Sequence, residues 1–319
     1  MNNRKKLRIG ILDFSGVDVA TVTTVGMYKK ANPGLVLREA IKKRGHTPVI
    51  YKVAKCQMFF HGRKAEILYN DKKIKNCDVL IPRVSINRDV DLEISIIKQF
   101  QLMGVPVLNE YLPVARAKNK LRTLQILTKK NIPVPKTIVV RKLEYIDEAI
   151  KKIGGYPVVL KTPFGTWGAG VVLVESRRSM YSALDIIWKN LLSNIMLIQE
   201  YIAEASGTDY RAFVVGDKVV ASMKRTSKTG DFRSNLHLGG EGIKVKLTDE
   251  EERLAVRASQ ALGLKISGVD ILRSNKGPLI MEVNAQPGTT GISSVTGIDV
   301  PAEIVKYAEI FAAKKLSGK

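Results

Sequence analysis

The sequence predicts an α/β protein of three units in series, the last of them α+β, and three observations carry that reading. The first part alternates short apolar runs with helix-like stretches that stop at glycine, the rhythm of βαβ units on a parallel sheet. The last part instead holds neighbouring apolar runs separated by a few turn formers, the pattern of antiparallel hairpins. A length of 319 residues is enough for two or three separate cores.

Taken in order, the run 7–12 (Leu-Arg-Ile-Gly-Ile-Leu) predicts a buried strand, and 33–44 a helix ended by Gly45. Strands follow at 48–53 and 78–83, a helix at 92–103 closed by Gly104, and a fourth strand at 105–109. Short helices at 113–117 and 119–130 lead to Pro133 and Pro135, which mark a boundary. The middle unit is expected to have strands at 136–140, 158–161, 170–173 and 195–200 with helices at 143–153 and 179–192. Strands at 209–215 and 218–224, a helix at 249–262, a hairpin over 268–284 and a helix at 300–314 complete the chain.

Composition narrows the classes. Hydrophobic residues make up 45% and charged residues 26%, a globular profile. No apolar run reaches membrane-spanning length, and the opening Met-Asn-Asn-Arg-Lys-Lys has no signal-peptide core, so a cytoplasmic protein is expected. Cys56 and Cys77 lack metal spacing, and with only His46, His61 and His237 a histidine-based zinc site is not expected. Against 30 acidic residues stand 52 basic ones, a net charge of +22, which concentrates anions of any kind near the surface.

The strongest chemical signal is the hairpin. Residues 268–273 and 279–284 flank Ser274-Asn275-Lys276-Gly277-Pro278, and a turn centred near Lys276 sets Asp270 across from Glu282. Glu282 and Asn284 are two apart and share a strand face. Two carboxylates and an amide converging on one spot repel one another unless a cation joins them, and an all-oxygen set suits a hard ion such as Mg²⁺. Removing one of these carboxylates is therefore expected to leave stability unchanged or slightly raised.

Other segments point to phosphate. Lys161 ends a strand and is followed by Gly165-Thr166-Trp167-Gly168-Ala169-Gly170, whose glycines let backbone N–H groups approach a polyphosphate. That loop joins two strands, so it fits neither a dinucleotide fingerprint nor a Walker loop. Gln199-Glu200-Tyr201-Ile202 could present edge groups to an adenine, and Asp209 suits a ribose hydroxyl or a metal-bound water. The stretch from Lys224 to Gly240 carries Lys224, Arg225, Lys228 and Arg233 in a Gly/Ser/Thr-rich context, as phosphoryl chemistry requires. Phe232 is its only aromatic residue, so base stacking is not favoured there.

In that order, Lys161, the glycine loop, Gln199–Ile202, Asp209-Tyr210-Arg211, Gly230-Asp-Phe-Arg-Ser-Asn235, Gly268-Val-Asp270 and Met281-Glu-Val-Asn284 resemble the ATP-grasp superfamily, and within it the RimK-type α-L-glutamate ligases. Pro82-Arg83, Asn109-Glu110 and the run 115–121 extend the likeness over nearly the whole chain. The resemblance implies an ATP-grasp fold with an N-terminal parallel-sheet (pre-ATP-grasp) domain over 1–114, a central subdomain with a glycine-rich lid over 115–204 and a C-terminal subdomain with the metal site over 205–319. It implies an ATP-dependent carboxylate–amine ligase working through an acyl phosphate. Lys120, Lys161, Gly165, Thr166, Trp167, Gly168, Gly170, Gln199, Glu200, Tyr201, Ile202, Asp209, Arg225, Arg233, Ser234 and Asn235 would contact ATP. Arg233, Asn235 and Arg211 would serve the reaction, and Asp270, Glu282 and Asn284 would bind two Mg²⁺ (or Mn²⁺) ions.

L-glutamate or a similar amino acid is the expected donor, and an acidic protein tail, oligoglutamate or glutamylated coenzyme the expected acceptor. A homo-oligomer is expected, with no membrane partner and no nucleic-acid substrate. Two alternatives are an amino-group-modifying ligase of the lysine-biosynthesis type, acting on an acidic carrier protein, and a non-catalytic nucleic-acid-binding protein. Departures from the family pattern concentrate on substrate: the long 17–32 segment, Leu238, Lys224 and Gln286-Pro-Gly-Thr-Thr. Arg83, Arg88 and Lys228 are the cations expected to meet an acidic acceptor.

Overall fold

The structure, a computed structural model, describes residues 5–13, 33–83, 90–165, 170–190, 195–228, 232–234 and 240–317. The 17–32 segment, Arg88, Leu238 and, within the predicted site, Thr166, Trp167, Gly168 and Asn235 lie outside the described residues.

Strand β1 (Arg8–Asp13) is buried from its second residue onward, because both faces of its sheet are covered. Helix α1 (Pro33–Lys43) ends before Gly45, whose φ of +83° turns the chain back into β2 (Thr47–Lys52), parallel to β1. The next segment departs from the expected rhythm. Strands β3 (Cys56–His61), β4 (Lys64–Tyr69) and β5 (Lys72–Lys73) form a separate antiparallel sheet. Asn70 and Asp71, at φ +50° and +60°, make the two-residue turn between β4 and β5, the geometry that matches strand twist.

Strand β6 (Val79–Arg83) then lies on the other side of β1, giving the order β2-β1-β6. After α2 (Val90–Leu102), the expected fourth strand is reduced to one parallel bridge, Leu80 to Val107. Pro106 supplies a carbonyl to Leu80 N–H at 2.8 Å but has no N–H of its own to extend a ladder. Helices α3 (Tyr111–Ala117) and α4 (Lys120–Lys129) follow, the second capped by the Asn119 side chain, which accepts from Leu121 N and Arg122 N.

The middle of the chain forms a four-stranded antiparallel sheet from β7 (Thr137–Val140), β8 (Val158–Lys161), β9 (Val171–Val174) and β10 (Met196–Glu200), in the order β7-β10-β8-β9. Helices α5 (Ile146–Ile153) and α6 (Arg177–Asn190) supply Ile146, Ile150, Met180 and Leu184 to a core of its own with Leu160 and Ile198. The last part is a five-stranded sheet, β13-β12-β11-β14-β15, built from β11 (Thr208–Val215), β12 (Lys218–Thr226), β13 (Glu241–Lys244), β14 (Ile266–Ser274) and β15 (Gly277–Asn284). Strand β13 is unexpected; its burial pattern is mostly exposed, so it carries no apolar run.

Helix α7 (Asp249–Leu262) starts with a capping box between Thr248 and Glu251 and packs on this sheet through Leu254, Ala255, Ala258 and Leu262. A short helix, α8 (Thr290–Thr296), follows the hairpin, and α9 (Val300–Ser317) closes the chain. Among the described residues no helix is long and apolar enough to cross a membrane.

Two cores join the ends of the chain. Ile9, Ile11, Leu37 and Ile41 pack with Phe213, Val215, Ile304 and Val305, while Leu12, Leu80 and Phe100 belong to the same cluster as Val269, Ile280 and Val283. Polar contacts reinforce the seam: the Glu309 carboxylate on α9 accepts from Arg44 at 2.6 and 2.9 Å and pairs with His46 Nε2 at 3.0 Å. The parallel sheet is thereby fused to the five-stranded one, which fixes the carboxyl end of β6 beside the loop after β15.

Candidate functional site

The site is built by register. Asp209 and Arg211 are two apart on β11 and share a face. Asp209 lies across from Arg225 of β12, Arg211 across from Asp270 of β14, and Asp270 across from Glu282 of β15. The hairpin turns at Asn275-Lys276, since Ser274 pairs with Gly277, and a register shift between Asp270 and Ile271 brings Asp270 opposite Glu282, the pairing expected from the sequence; Pro278 lies in the strand instead of the turn.

These pairs fuse into one ionic network. Arg211 donates to both oxygens of Asp270 at 2.7 and 2.6 Å, and Arg225 holds Asp209 in the same two-pronged way at 2.6 and 2.6 Å. Arg225 Nη2 also reaches Asp270 Oδ2 at 2.9 Å, and Ser234 donates to Asp209 Oδ2 at 2.6 Å. Burial alone would raise the pKa of Asp270, yet Arg211 and Arg225 hold its carboxyl below the usual range. Burial opposes the charge on Arg225 as well, but Asp270 and Asp209 raise its pKa above the ordinary guanidinium value. Carboxylate repulsion is therefore not the dominant field at Asp270, contrary to the expectation drawn from sequence; two guanidiniums surround it.

Among the described residues no group of three or more His, Cys, Asp or Glu comes together, so a cation here would rest on Asp270, Glu282 and Asn284. That donor set fits a hard ion. Three N–H groups occupy Asp270, leaving one of the roughly four lone-pair positions of a carboxylate. Glu282 is half-buried, and Asn284 Oδ1 accepts from Gln286 N at 2.8 Å.

The four-stranded sheet faces these acids with Lys161, the last residue of β8. Its ammonium donates to Gln199 Oε1 at 2.6 Å, and Gln199 Nε2 donates to Thr137 Oγ1 at 2.9 Å. Gln199 thus orients the lysine, a task that its place before Glu200-Tyr201 did not suggest. Burial lowers the pKa of Lys161 to about 8; Glu282 and Asp270 oppose the shift and Lys120 adds to it. Lys120 holds the start of the glycine loop, donating through Nζ to Gly165 O at 2.9 Å and through its backbone to Pro163 O at 3.0 Å. The loop's other end is closed by Thr162 N to Gly170 O at 3.0 Å. Gly170 has φ +71°, and a Cβ there would lie 2.5 Å from Thr162 Oγ1, so only glycine fits.

Glu200 Oε1 accepts from Lys136 N at 2.8 Å, and Tyr201 donates to Ser206 Oγ, so these two side chains secure their own strand ends. Ile202 is half-buried directly after them, and Arg233 is half-buried 5.7 Å from the Phe232 ring centroid. Arg83 departs from expectation: it is buried at the end of β6 and donates to Pro287 O at 2.6 Å. Lys228 is exposed and pairs with Glu241 at 3.5 Å. Asn109, on the sheet seam, is the residue whose importance was least visible: its amide bonds Ile266 O, Ala285 O, Lys265 N and Ile266 N.

The protonation of Lys161 predicts a pH dependence. Between about 8 and 10.5 the unfolded chain holds a proton that the folded chain has released, so folding stability rises with pH in that window. A phosphate held by Lys161 would show the opposite trend in affinity, because the ammonium is lost as pH rises. Calorimetric ATP binding should weaken as pH rises through about 8, and Lys161→Met should be weaker by about 1.5–3 kcal/mol at neutral pH and flat with pH. An equal slope in wild type and Lys161→Met would remove Lys161 from the phosphate contacts.

A four-stranded and a five-stranded antiparallel sheet, with a buried lysine on one side and paired carboxylates on the other, define an ATP-grasp ligase. Residues 31–112 match the RimK PreATP-grasp domain and residues 117–308 the RimK-like ATP-grasp domain. The chain belongs to the RimK-like ATP-grasp family. A probable alpha-L-glutamate ligase of Picosynechococcus sp. is 44% identical over 277 residues, 87% of this chain and 91% of the relative. Probable alpha-L-glutamate ligase 1 of Shewanella oneidensis is 46% identical over 280 residues, 88% and 92% of the two chains. In fold, the chain resembles the RimK domain ATP-grasp protein of Sphaerobacter thermophilus, with a TM-score of 0.70 at 22% identity over 94% of this chain and 98% of that one. It also resembles the D-alanine–D-alanine ligase of Bacillus anthracis, at 0.68 and 17% over 98% and 100%. The protein is an ATP-dependent carboxylate–amine ligase.

Proposed function

We propose that this ligase joins L-glutamate to an acidic acceptor, a protein tail, oligoglutamate or a glutamylated coenzyme, through an acyl phosphate. The single observation that carries the reading is the placement of Lys161 opposite Asp270 and Glu282, with relatives named as glutamate ligases supporting the amino acid. The division is read as an N-terminal domain over 1–114, a lid-bearing subdomain over 115–204 and a metal-bearing subdomain over 205–319.

In this reading Lys120, Lys161 and the glycine loop hold the ATP phosphates, and Gln199–Ile202 border the adenine. The γ-phosphoryl group passes to the acceptor carboxylate, releasing ADP; the amino acid's amine then attacks the acyl carbon, and phosphate leaves as the nitrogen loses a proton. Asp270, Glu282 and Asn284 would hold two Mg²⁺ ions, with Mn²⁺ a substitute, which would supply charge neutralisation at the phosphates. Arg211 and Arg225 keep Asp270 ionised and in place, while Arg233 supplies positive charge near the transferring group.

The test combines the protein with ATP, Mg²⁺ and each amino acid in turn, with and without oligoglutamate or an acidic peptide, and follows ADP together with product mass. Expected is ADP formation that requires both L-glutamate and an acidic acceptor, with products extended by glutamyl units. The apparent acceptor affinity should fall with salt, because the net charge of +22 acts across a Debye length of about 8 Å at physiological ionic strength. Turnover with a different amino acid, or with a neutral acceptor and no salt effect, would overturn the proposal.

A further inference from the structure

Resting on that ligase reading, one buried cation remains without a task. Arg83 ends β6 at the carboxyl edge of the parallel sheet, the edge at which α/β proteins hold ligands. It is 7% exposed, and among the described residues its one hydrogen bond runs from Nη2 to Pro287 O at 2.6 Å. Among the described residues no carboxylate pairs with it, and burial alone takes its pKa down to about 10. A guanidinium carries five N–H donors in a planar fork that matches a carboxylate. Burying such a charge without a counter-ion is unfavourable, and it is the condition in which an incoming anion is bound most strongly.

A second observation lies one residue away. The side chain of Gln286 has both Nε2 and Oε1 buried and without a hydrogen-bond partner. An orphaned amide offers two donors and an acceptor, which a packed core would not leave unmet. The loop that carries it is fixed beside the acids: Pro287 stands against Gly268, where a Cβ would come within 2.8 Å of Pro287 Cβ and 3.6 Å of Arg211 Nε. Arg83 is thus linked through Pro287 to the strand that carries Asp270, and Gln286 lies between Pro287 and Asn284 in the chain.

We propose that Arg83 and Gln286 form the pocket that selects the amino-acid substrate, the Arg83 fork binding a carboxylate of that amino acid that does not react, while the Gln286 amide completes its polar contacts. The enclosure of Arg83 favours the small substrate over a polymeric acceptor, which needs an open groove. Being buried, the contact is shielded from salt, so the affinity for the amino acid is flat with ionic strength while that for the acceptor is not. The bound group is either the α-carboxylate or the side-chain carboxylate, and two monoamides separate them.

The experiment measures KM for L-glutamate, ATP and acceptor, with L-glutamine and glutamic acid α-amide as competing substrates, in wild type, Arg83→Gln, Arg83→Lys and Gln286→Leu. Arg83→Gln is expected to raise KM for L-glutamate by about tenfold or more, as a site that loses a paired polar contact does, with KM for ATP unchanged. Wild type should reject one of the two amides, and Arg83→Gln should lose that rejection; the amide concerned identifies which carboxylate is bound. Arg83→Lys keeps the charge but not the fork and should show an intermediate KM, and Gln286→Leu should raise KM for L-glutamate with Arg83 intact. If Arg83→Gln fails to fold, the other two variants decide by the same KM comparison. Unchanged KM and unchanged amide rejection in the folded variants, or effects confined to ATP or acceptor, overturn the assignment. If wild type forms no ADP with any amino acid, the ligase reading itself fails. Calorimetric binding of L-glutamate then decides the pocket: binding weaker in Arg83→Lys than in wild type supports it, and equal or absent binding in wild type and Arg83→Lys overturns it.

Discussion

Glu282→Gln is expected to lose turnover while folding like the wild type, whereas Asp270→Asn should lose both. Both residues belong to the proposed cation site, and removing either charge weakens the hold on the ion that neutralises the phosphates. A loss of about 4 kcal/mol in transition-state stabilisation corresponds to roughly a thousandfold in kcat. The two differ in what else they touch. Glu282 is half-buried at the mouth of the hairpin, so its amide should change stability by no more than about 0.5 kcal/mol. Asp270 is 2% exposed and answers Arg211 and Arg225 together. Replacing it with a neutral amide takes the carboxylate from Arg211 and leaves Arg225 with Asp209 alone, a change that typically costs about 3–5 kcal/mol. Urea denaturation and ADP release measured on the same preparations check both. Equal stability for the two variants would mean that the arginine network is not what holds Asp270, and near-normal ADP release by Glu282→Gln would take Glu282 out of the cation site.

The contrast between those two acids shows where sequence reasoning succeeded and where it stopped. Strand periodicity and turn chemistry are local, so the hairpin was legible from Ser274-Asn275-Lys276-Gly277; the turn alone would set Asp270 across from Met281, and a register shift between Asp270 and Ile271 restores the pairing with Glu282. The neighbour strands are not local. That Arg211 pairs with Asp270, and Arg225 with both Asp209 and Asp270, depends on β11 lying between β12 and β14, an order that no short window encodes. Gln199 is similar: only the antiparallel pairing of β10 with β8 brings it to Lys161. The small β3–β5 sheet did leave a trace, since Asn70-Asp71 follows an alternating Ala65, Ile67, Tyr69 run; a strand turn could have been read there. Arg83 was visible as a cation but not as a buried one, because its packing is tertiary: the carbonyl that it bonds belongs to Pro287, over 200 residues away.

Asn109 supplies the strongest test of how the parallel sheet positions the acids. Its four amide bonds leave one arrangement: Nδ2 donates to Ile266 O at 2.7 Å and Ala285 O at 2.9 Å, while Oδ1 accepts from Lys265 N at 2.7 Å and Ile266 N at 3.0 Å. Two carbonyls on one side and two N–H groups on the other mean that a flipped amide would oppose like with like. Ala285 follows Asn284 directly, so the clamp holds the end of β15 to the start of β14. Asn109→Asp keeps size and shape but places a carboxylate oxygen against two carbonyl oxygens; Asn109→Ala leaves all four backbone groups unmet. Each unmet buried group costs about 1–3 kcal/mol, without strict additivity. Both variants should therefore be destabilised by about 3 kcal/mol or more, and both should need more Mg²⁺ for half-maximal ADP release, because the strand end that carries Asn284 is no longer pinned. The Mg²⁺ requirement separates this from a purely structural role: denaturation shifted with an unchanged Mg²⁺ curve would confine Asn109 to the fold, and an unshifted midpoint in both variants would show that the seam between the two sheets does not depend on it.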